Sequence, residues 1–300
     1  MWLASGLDES RVDRSRLVAP PADVGRDLYG LPHLYETDDF ALRWGDEVPV
    51  SAEAVAELAA LLQTALATER ALGFPAPVGS DAYKLNVYIG DSGGPPSYGA
   101  LGYFNLDDEG RPMLVFHRFI LEDPEQAPAV TAHELLHVLQ YSANPELEDW
   151  FWEATAVWVE QEVHPGNLNH VRFAPGLALL PYRALDLYDR PGDGTLEELH
   201  AYGAFLYPRY LTEHGVDPSL IADVWTQSPN GVLDGLSEQL AARGLSFSTT
   251  FGDFAAANAV WEYALGAEYA ARVQQEQGTW DQKPTVGYVP VGGTAGMVQA

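Results

Sequence analysis

The sequence has no cysteine, few basic residues and no long apolar run, and each absence excludes a class of function. Without cysteine, neither a disulfide framework nor thiol chemistry is available. Acidic residues outnumber basic ones by 43 to 16, and the resulting net charge of −27 repels nucleic acid and anionic membranes. Because no run of about 18 apolar residues occurs, no membrane-spanning segment is predicted. We therefore expect neither nucleic acid nor a bilayer as a partner.

The remaining composition is typical of a globular protein with a sizeable core. Hydrophobic residues make up 47% of the 300 positions and aromatic residues 11%. The acidity has two interpretations: adaptation to high salt, or the ordinary acidity of a soluble exported protein. Residues 1–6 lack the basic start and the apolar core of roughly 7–15 residues that mark a signal peptide. If the protein is exported, we expect this chain to be a shortened or processed form.

An H-E-x-x-H sequence, from His133 to His137, is the strongest chemical signal in the chain. It lies inside the apolar run 129–141, which predicts a helix. Residues four apart share a helix face, so His133 and His137 can direct both imidazoles at one metal ion, with Glu134 one position round. Imidazole suits Zn²⁺, and three protein ligands leave a fourth position for water, with Glu134 as general base. The motif therefore predicts a zinc hydrolase.

Apolar residues occur on every side of this predicted helix, whereas a surface helix would have one polar face. These residues are Val130, Ala132, Leu135, Leu136, Val138, Leu139 and Tyr141. Two histidines and a carboxylate are costly to bury unless hydrogen bonds or a metal ion satisfy them. A metal site is therefore favoured over core histidines bound to backbone carbonyls.

A second apolar stretch, residues 150–159, supplies the candidate third ligand. Its sequence WFWEATAVWV holds one charged residue, Glu153, and a carboxylate among tryptophans should be paired or metal-bound. Glu153 follows the second histidine of the motif by 16 residues, which is enough chain for a turn and an antiparallel return. Glu160, near the same helix face, is the reserve candidate. His164 and His170 are weaker alternatives as the third ligand. The alternative without a metal is that Glu153 is exposed to solvent on one stripe of the helix.

The order of the predicted elements favours the α+β class in two lobes. Predicted strands span 39–44, 84–89, 98–105 and 113–120. Predicted helices span 52–72, 129–141, 149–163, 196–213 with a kink at Pro208, 218–227, 233–243 and 251–273. The predicted organisation is an extended segment (1–38), an N-terminal α/β lobe (39–143), a helical lobe with the third ligand (144–277) and a tail (278–300) holding one strand or the start of a further module. Residues 39–277 would form one catalytic unit.

Two further motifs are better explained as turns. The sequence GDSGGP at 90–95 matches the nucleophile segment of chymotrypsin-like serine peptidases, but those enzymes need a histidine and an aspartate upstream on a double β-barrel. Only one histidine precedes Ser92. The loop 105–110 resembles the first half of a calcium loop, but Phe116 stands where such a loop carries its last Glu. We predict a glycine-rich turn and a hairpin turn, and take residues 100–104 as an edge strand that would bind an extended substrate.

The two metal segments together resemble the gluzincin branch of zinc metallopeptidases. The chain is similar in particular to a group of exported prokaryotic metallopeptidases that carry H-E-x-x-H-x-x-Q followed by W-x-x-E-x-x-A-x-W. The first segment here runs from His133 to Gln140, and the second is formed by Trp150, Glu153, Ala156 and Trp158. Better-known gluzincins carry an Asp four residues after the glutamate ligand to orient a histidine, and this chain has Val157 there. A different residue must therefore orient that histidine.

The resemblance implies a zincin-like two-lobed fold and a zinc-dependent endopeptidase. It implies Zn²⁺ on His133, His137 and Glu153, and Glu134 as general base for a metal-activated water. A protein or peptide would be the substrate, in a cleft between the lobes, and the protein would act outside the cell or at its surface.

The reaction also needs a donor for the tetrahedral oxyanion, which the resemblance places in the second lobe. Tyr202 is the candidate and His200 the next, although a tyrosine in a helical stretch more often packs in a core. Two other functions stay open: another zinc hydrolase, such as an aminopeptidase or amidase, and a non-catalytic surface protein stabilised by zinc. Glu134 favours chemistry, because a structural zinc site needs no general base.

Overall fold

The computed structural model describes residues 27–189 and 195–277, and the backbone of two strands at 286–291 and 294–299. The protein is mixed α/β and divides into two compact units. The first unit contains the described residues up to Pro145 together with Val159–Asn167. The second contains Glu146–Trp158 and the described residues from Leu168 onward. Most of the segment that the sequence predicts to be extended, residues 1–26, lies outside the described residues.

A five-stranded mixed sheet forms the centre of the first unit. Its strands are β1 (His33–Glu36), β2 (Phe40–Trp44), β3 (Leu85–Gly90), β4 (Gly102–Leu106) and β5 (Pro112–His117). They lie in the order β1-β2-β3-β5-β4, with β2, β3 and β5 parallel and the edge strands β1 and β4 antiparallel to their neighbours. The four predicted strands are confirmed, with bounds that differ from the predicted ones by up to four residues. β1 is not predicted, because its short and largely exposed sequence has no apolar alternation.

Two long helices also belong to the first unit. α1 (Ala52–Ala71) connects β2 to the parallel strand β3, and the Ser51 hydroxyl caps it by accepting a hydrogen bond from the Ala54 N–H at 3.1 Å. α2 (Gln126–Ala143) contains the whole apolar run 129–141, which is buried throughout. α2 packs against α1 and against β4. The predicted helices are confirmed here, and the second of them starts three residues before the apolar run.

The GDSGGP sequence at 90–95 and the loop at 105–110 both form turns. The Ser92 hydroxyl is buried, accepts from the Gly45 N–H at 3.0 Å and donates to the Ile89 carbonyl at 2.6 Å. These two bonds to backbone groups fix the turn after β3, which is the role predicted for it. In the loop between β4 and β5, Asp107 Oδ1 accepts from the N–H groups of Glu109 and Arg111, both at 2.9 Å. The hairpin prediction is therefore confirmed.

Helices make up most of the second unit. They are α3 (Asp149–Val163), whose last turns belong to the first unit, α4 (Ala174–Ala178), α5 (His200–Gly203), α6 (Leu206–Glu213), α7 (Ser219–Gln227), α8 (Val232–Ala242), α9 (Phe247–Val260) and α10 (Gly266–Glu276). In the tail, β6 (Val286–Val291) and β7 (Thr294–Gln299) form an antiparallel pair. None of the helices in the described part of the chain combines the length and apolar character needed to cross a membrane.

The predictions of single helices over 196–213 and 251–273 are wrong, because each of these stretches is interrupted. The first break falls at Ala204 and Phe205 instead of Pro208, because Pro208 lies in the first turn of α6, where its missing N–H has no helical acceptor to lose. The second break falls at Trp261, which ends α9 in a left-handed conformation with φ +56°. α10 then starts at Gly266, where a Cβ would collide with the Trp261 carbonyl.

Candidate metal centre

The H-E-x-x-H motif occupies the middle of α2. The rings of His133 and His137 have their centroids 4.9 Å apart and their planes at 89°. Their exposed fractions are only 4% and 7%. Since the apolar residues on all sides of α2 are buried as well, packing holds both imidazoles in place.

Glu153, in the second turn of α3, joins the two histidines. Ligand atoms of His133, His137 and Glu153 lie within 4.8 Å of one another, and Glu153 is 3% exposed. Among the residues that the structure describes, this is the one such group of three His, Asp or Glu side chains. The structure thus brings together the three predicted ligands, and it leaves the alternatives His164 and His170 outside the group.

A hydrogen bond orients each imidazole. Gln140 Oε1 accepts from His137 Nδ1 at 2.6 Å, and Glu160 Oε1 accepts from His133 Nδ1 at 3.1 Å. An amide oxygen and a carboxylate can only accept, so both Nδ1 atoms carry a proton and the ring lone pairs are on Nε2. Metal-binding histidines usually have this arrangement, in which the outer nitrogen donates to a carboxylate or an oxygen acceptor.

This set of donors fits a catalytic zinc ion. Two imidazole nitrogens and one glutamate oxygen are a known ligand set of catalytic zinc, which keeps a fourth position open. The carboxylate that orients His133 comes from Glu160, three residues beyond the buried Val157 that departs from the gluzincin pattern. Glu160 and Glu153 are seven residues apart and thus near the same helix face. Sequence reasoning selected Glu160 as a reserve ligand and missed its orienting role.

Glu134 is 2% exposed and lies beside β4. A Cβ on Gly102 would lie 2.9 Å from Glu134 Cγ and 3.0 Å from Phe116 Cδ1. Only glycine therefore lets the edge strand approach Glu134 this closely. The predicted edge strand at 100–104 is confirmed as an edge, with its bounds two residues further along.

The hydrogen bonds between β4 and β5 define which residues face the open edge. The His117 N–H donates to the Leu101 carbonyl at 2.9 Å. The Asp107 N–H donates to the Arg111 carbonyl at 2.8 Å. In an antiparallel pair, residues bonded in this way alternate with residues whose N–H and C=O point outward. Gly102 is one of the latter, so its backbone polar groups point away from β5.

Glu69, on α1, is a buried acid that sequence reasoning missed. It is 0% exposed, and neither carboxyl oxygen has a hydrogen-bond partner. Burial raises its pKa well above the usual range, and the neighbouring His133 only partly opposes this. Burial therefore favours the protonated form of this carboxyl group. Its signal in the sequence is its place on the apolar stripe of α1, one turn after the buried Ala65.

The two oxyanion candidates lie on α5 in the second unit. Tyr202 is 6% exposed and its ring stacks on Phe173, with centroids 5.1 Å apart. Its assignment as a donor stays a prediction. His200 is fully buried, and burial lowers its pKa to about 4. His170, the alternative metal ligand, instead has its Nε2 3.1 Å from the Tyr269 hydroxyl.

Comparison with protein-family models finds no match to this chain, and comparison with curated proteins finds none either. Any function must therefore be argued from the side chains of the site.

Proposed function

We propose that this protein is a zinc-dependent endopeptidase of zincin-like, two-lobed architecture. The observation that carries the proposal is the buried group of His133, His137 and Glu153, whose ligand atoms lie within 4.8 Å of one another. The Nδ1 bonds to Gln140 and Glu160 support it, because they direct the lone pairs of both rings to Nε2. Structural zinc sites are closed by a fourth protein ligand, and the group contains three.

Each residue of the site has a separate task in this proposal. Zinc in such a site acts as a Lewis acid that lowers the pKa of water and polarises a carbonyl group. Glu134 accepts the proton of the attacking water and later delivers it to the leaving amine. Its burial beside β4 excludes bulk water, which strengthens these interactions. Tyr202 remains the candidate donor to the oxyanion.

The position of β4 supports a peptide as the substrate. β4 is an edge strand, and the outward N–H and C=O of Gly102 lie next to Glu134. An extended peptide that paired with this edge would gain backbone hydrogen bonds and bring one carbonyl near the general base. This geometry favours cleavage within a chain. We further propose that the protein is exported and cleaves proteins or peptides outside the cell.

The other zinc hydrolases and a non-catalytic zinc protein remain the competing functions. Glu134 counts against the latter, because a structural site has no use for a buried general base. An aminopeptidase would in addition need a group that binds the substrate's amino terminus.

Metal content and casein cleavage test the proposal together. We expect one zinc per chain in the wild type and in Glu134→Gln, and a loss of zinc in Glu153→Ala. Glu134→Gln should lower turnover by about 10²–10⁴-fold, the usual contribution of a general base. Glu162→Ala, on the same helix but partly exposed, is the control and should retain both zinc and activity.

Each alternative outcome has a definite meaning. Zinc without casein cleavage, but with hydrolysis of aminoacyl nitroanilides, would replace the endopeptidase by an aminopeptidase. Zinc without any hydrolysis would favour the binding protein. A wild-type protein that takes up no zinc would refute the metal centre itself.

A further inference from the structure

The first unit contains a cavity of about 230 Å³ that includes none of the residues of the metal centre. The amino ends of the parallel strands β2 and β3, the last turns of α1 and the loop that follows α1 surround it. Its walls are mainly apolar, and the principal wall residues are Phe40, Leu66, Ala76, Pro77, Val78 and Leu85. An apolar cavity of this kind with few polar groups is the usual form of a small-molecule site.

Two lining residues carry opposite charges that do not neutralise each other. Asp39 and Arg70 both line the cavity and are both exposed to solvent, and no ion pair within 4.0 Å joins these two described residues. Arg70 Nη1 donates to the Phe74 carbonyl at 2.7 Å, and Asp39 Oδ2 accepts from Gln63 Nε2 at 3.0 Å. Neutral partners therefore hold both groups. Several other basic side chains of the described chain are paired with carboxylates, namely Lys84, Arg111, Arg183, Arg243 and Arg272.

The loop that forms one wall is fixed without a ligand. The Tyr83 hydroxyl donates to the Val78 carbonyl at 2.9 Å, and the Val78 N–H donates to the Ser142 hydroxyl at 2.9 Å. Gly79 has a φ of +81°, and a Cβ there would collide with the Tyr83 hydroxyl. A wall that is already in place reduces the ordering cost of binding.

We propose that this cavity binds the zwitterion of an α-amino acid with a medium-sized apolar side chain, such as leucine. The guanidinium of Arg70 would take the carboxylate, since arginine is the preferred partner of carboxylates. Asp39 would take the ammonium group, and the side chain would fill the apolar space between Phe40 and Leu66. The volume is below the roughly 300 Å³ at which sites for drug-sized ligands begin, which suits a single amino acid.

The pattern of charges argues against simpler ligands. An inorganic anion would leave the apolar walls without a partner. A fatty acid could pair its carboxylate with Arg70, but it has no cationic group to offer Asp39. A ligand with a carboxylate, an ammonium group and an apolar group would contact Arg70, Asp39 and the apolar walls together. This inference does not depend on the proposed peptidase activity.

A titration of the full-length protein with L-leucine, followed by amide NMR shifts, tests the proposal. We expect saturable shifts at Val78 and Gly79 with a dissociation constant on the order of 0.1–1 mM, as suits so small a ligand. N-acetyl-L-leucine lacks the ammonium group, L-leucinamide lacks the carboxylate and glycine lacks the side chain. Each should bind about tenfold more weakly or worse, because each loses one of the three contacts.

Two variants then assign the charges. Arg70→Gln should weaken leucine about tenfold and leave leucinamide unchanged. Asp39→Asn should weaken leucine to a similar degree and leave N-acetyl-leucine unchanged. Arg272→Gln, whose side chain pairs with Glu276 on α10, is the control.

Three results would overturn the proposal: absence of shifts at 20 mM leucine, equal affinity for leucine and N-acetyl-leucine, or full leucine affinity in Arg70→Gln. The ligand series uses only the wild type, so it decides the matter even if a variant fails to fold.

Discussion

The histidines of α2 and the histidine at the start of α5 are both buried, but in opposite chemical settings. His133 and His137 each donate from Nδ1 to an oxygen acceptor. Their ligand atoms and that of Glu153 lie within 4.8 Å of one another. Neither ring nitrogen of His200 makes a hydrogen bond of regular geometry, and the nearby Leu187 backbone only partly opposes the effect of burial on its pKa. Burial alone does not distinguish these sites.

The difference lies in the polar partners. A buried imidazole without acceptors avoids charge, and its pKa falls to about 4. A buried imidazole with an acceptor at Nδ1 has a defined tautomer and a directed lone pair, which suits a metal ion. A buried histidine therefore indicates a metal site only when a second side chain orients it.

The largest expected contrast is in zinc affinity. His137→Ala should weaken zinc binding by more than about 100-fold, because loss of an outer-shell partner alone already costs about 10–100-fold. His200→Leu should bind zinc like the wild type. Titration against a chelator of known affinity measures both variants. Equal loss in the two would show that His200 supports the site, and the comparison would fail.

The second contrast is in the pH dependence of stability. His200 has a folded pKa of about 4, below the unfolded value of about 6.5. Between these values the unfolded chain binds more protons, so the free energy of unfolding should fall as the pH drops, by up to about 3 kcal/mol. His200→Leu cannot titrate and should lack this component.

Urea unfolding at pH 7 and pH 4.5 measures that component as the difference between the wild type and His200→Leu. A difference independent of pH would mean that His200 gains an acceptor or is hydrated.

A smaller effect is expected from the acceptor of His133. Glu160→Leu keeps approximately the size of the side chain but removes every acceptor for His133 Nδ1. Zinc affinity should fall by about 10–100-fold, the usual effect of losing an outer-shell partner. Glu162→Leu, two residues further along α3, is the matched control. Unchanged zinc affinity in Glu160→Leu would remove the orienting role.

The smallest effect should come from the edge strand. In Gly102→Ala the new methyl group would lie 2.9 Å from Glu134 Cγ and must displace it. Turnover should fall about tenfold with zinc content unchanged, because small displacements of a catalytic group are costly. The control is Gly252→Ala, where a Cβ meets nothing within 4 Å. Equal turnover in both variants would show that Glu134 tolerates the movement.

Local periodicity predicted much of the fold. α3 has its predicted bounds, α7 starts one residue later than predicted, and α8 is shifted by one residue at both ends, because apolar spacing and clear turn sequences mark them. The break at Trp261 could not be predicted, since a left-handed tryptophan has no local signal and depends on packing. Pro208 misled the prediction because its effect depends on its position within the helix.

The residues of the site that could be predicted are those whose pattern lies within a single helix. His133 and His137 follow from spacing, and Glu153 from its apolar surroundings. Gln140 was recognised only as part of a motif, and the orienting role of Glu160 depends on how α2 and α3 pack. Gly102 is more than 30 residues from Glu134 in the sequence. Its close approach follows from sheet order, which no local pattern encodes.

The open edge of β4 also exposes the protein to its own copies. An unpaired strand edge can pair with a second molecule as readily as with a substrate. β4 leads into the acidic turn 107–109, and the whole chain carries a net charge of −27. Two molecules approaching edge to edge therefore repel each other until salt screens the charges or acid neutralises them. The acidity of the chain thus opposes aggregation at this strand.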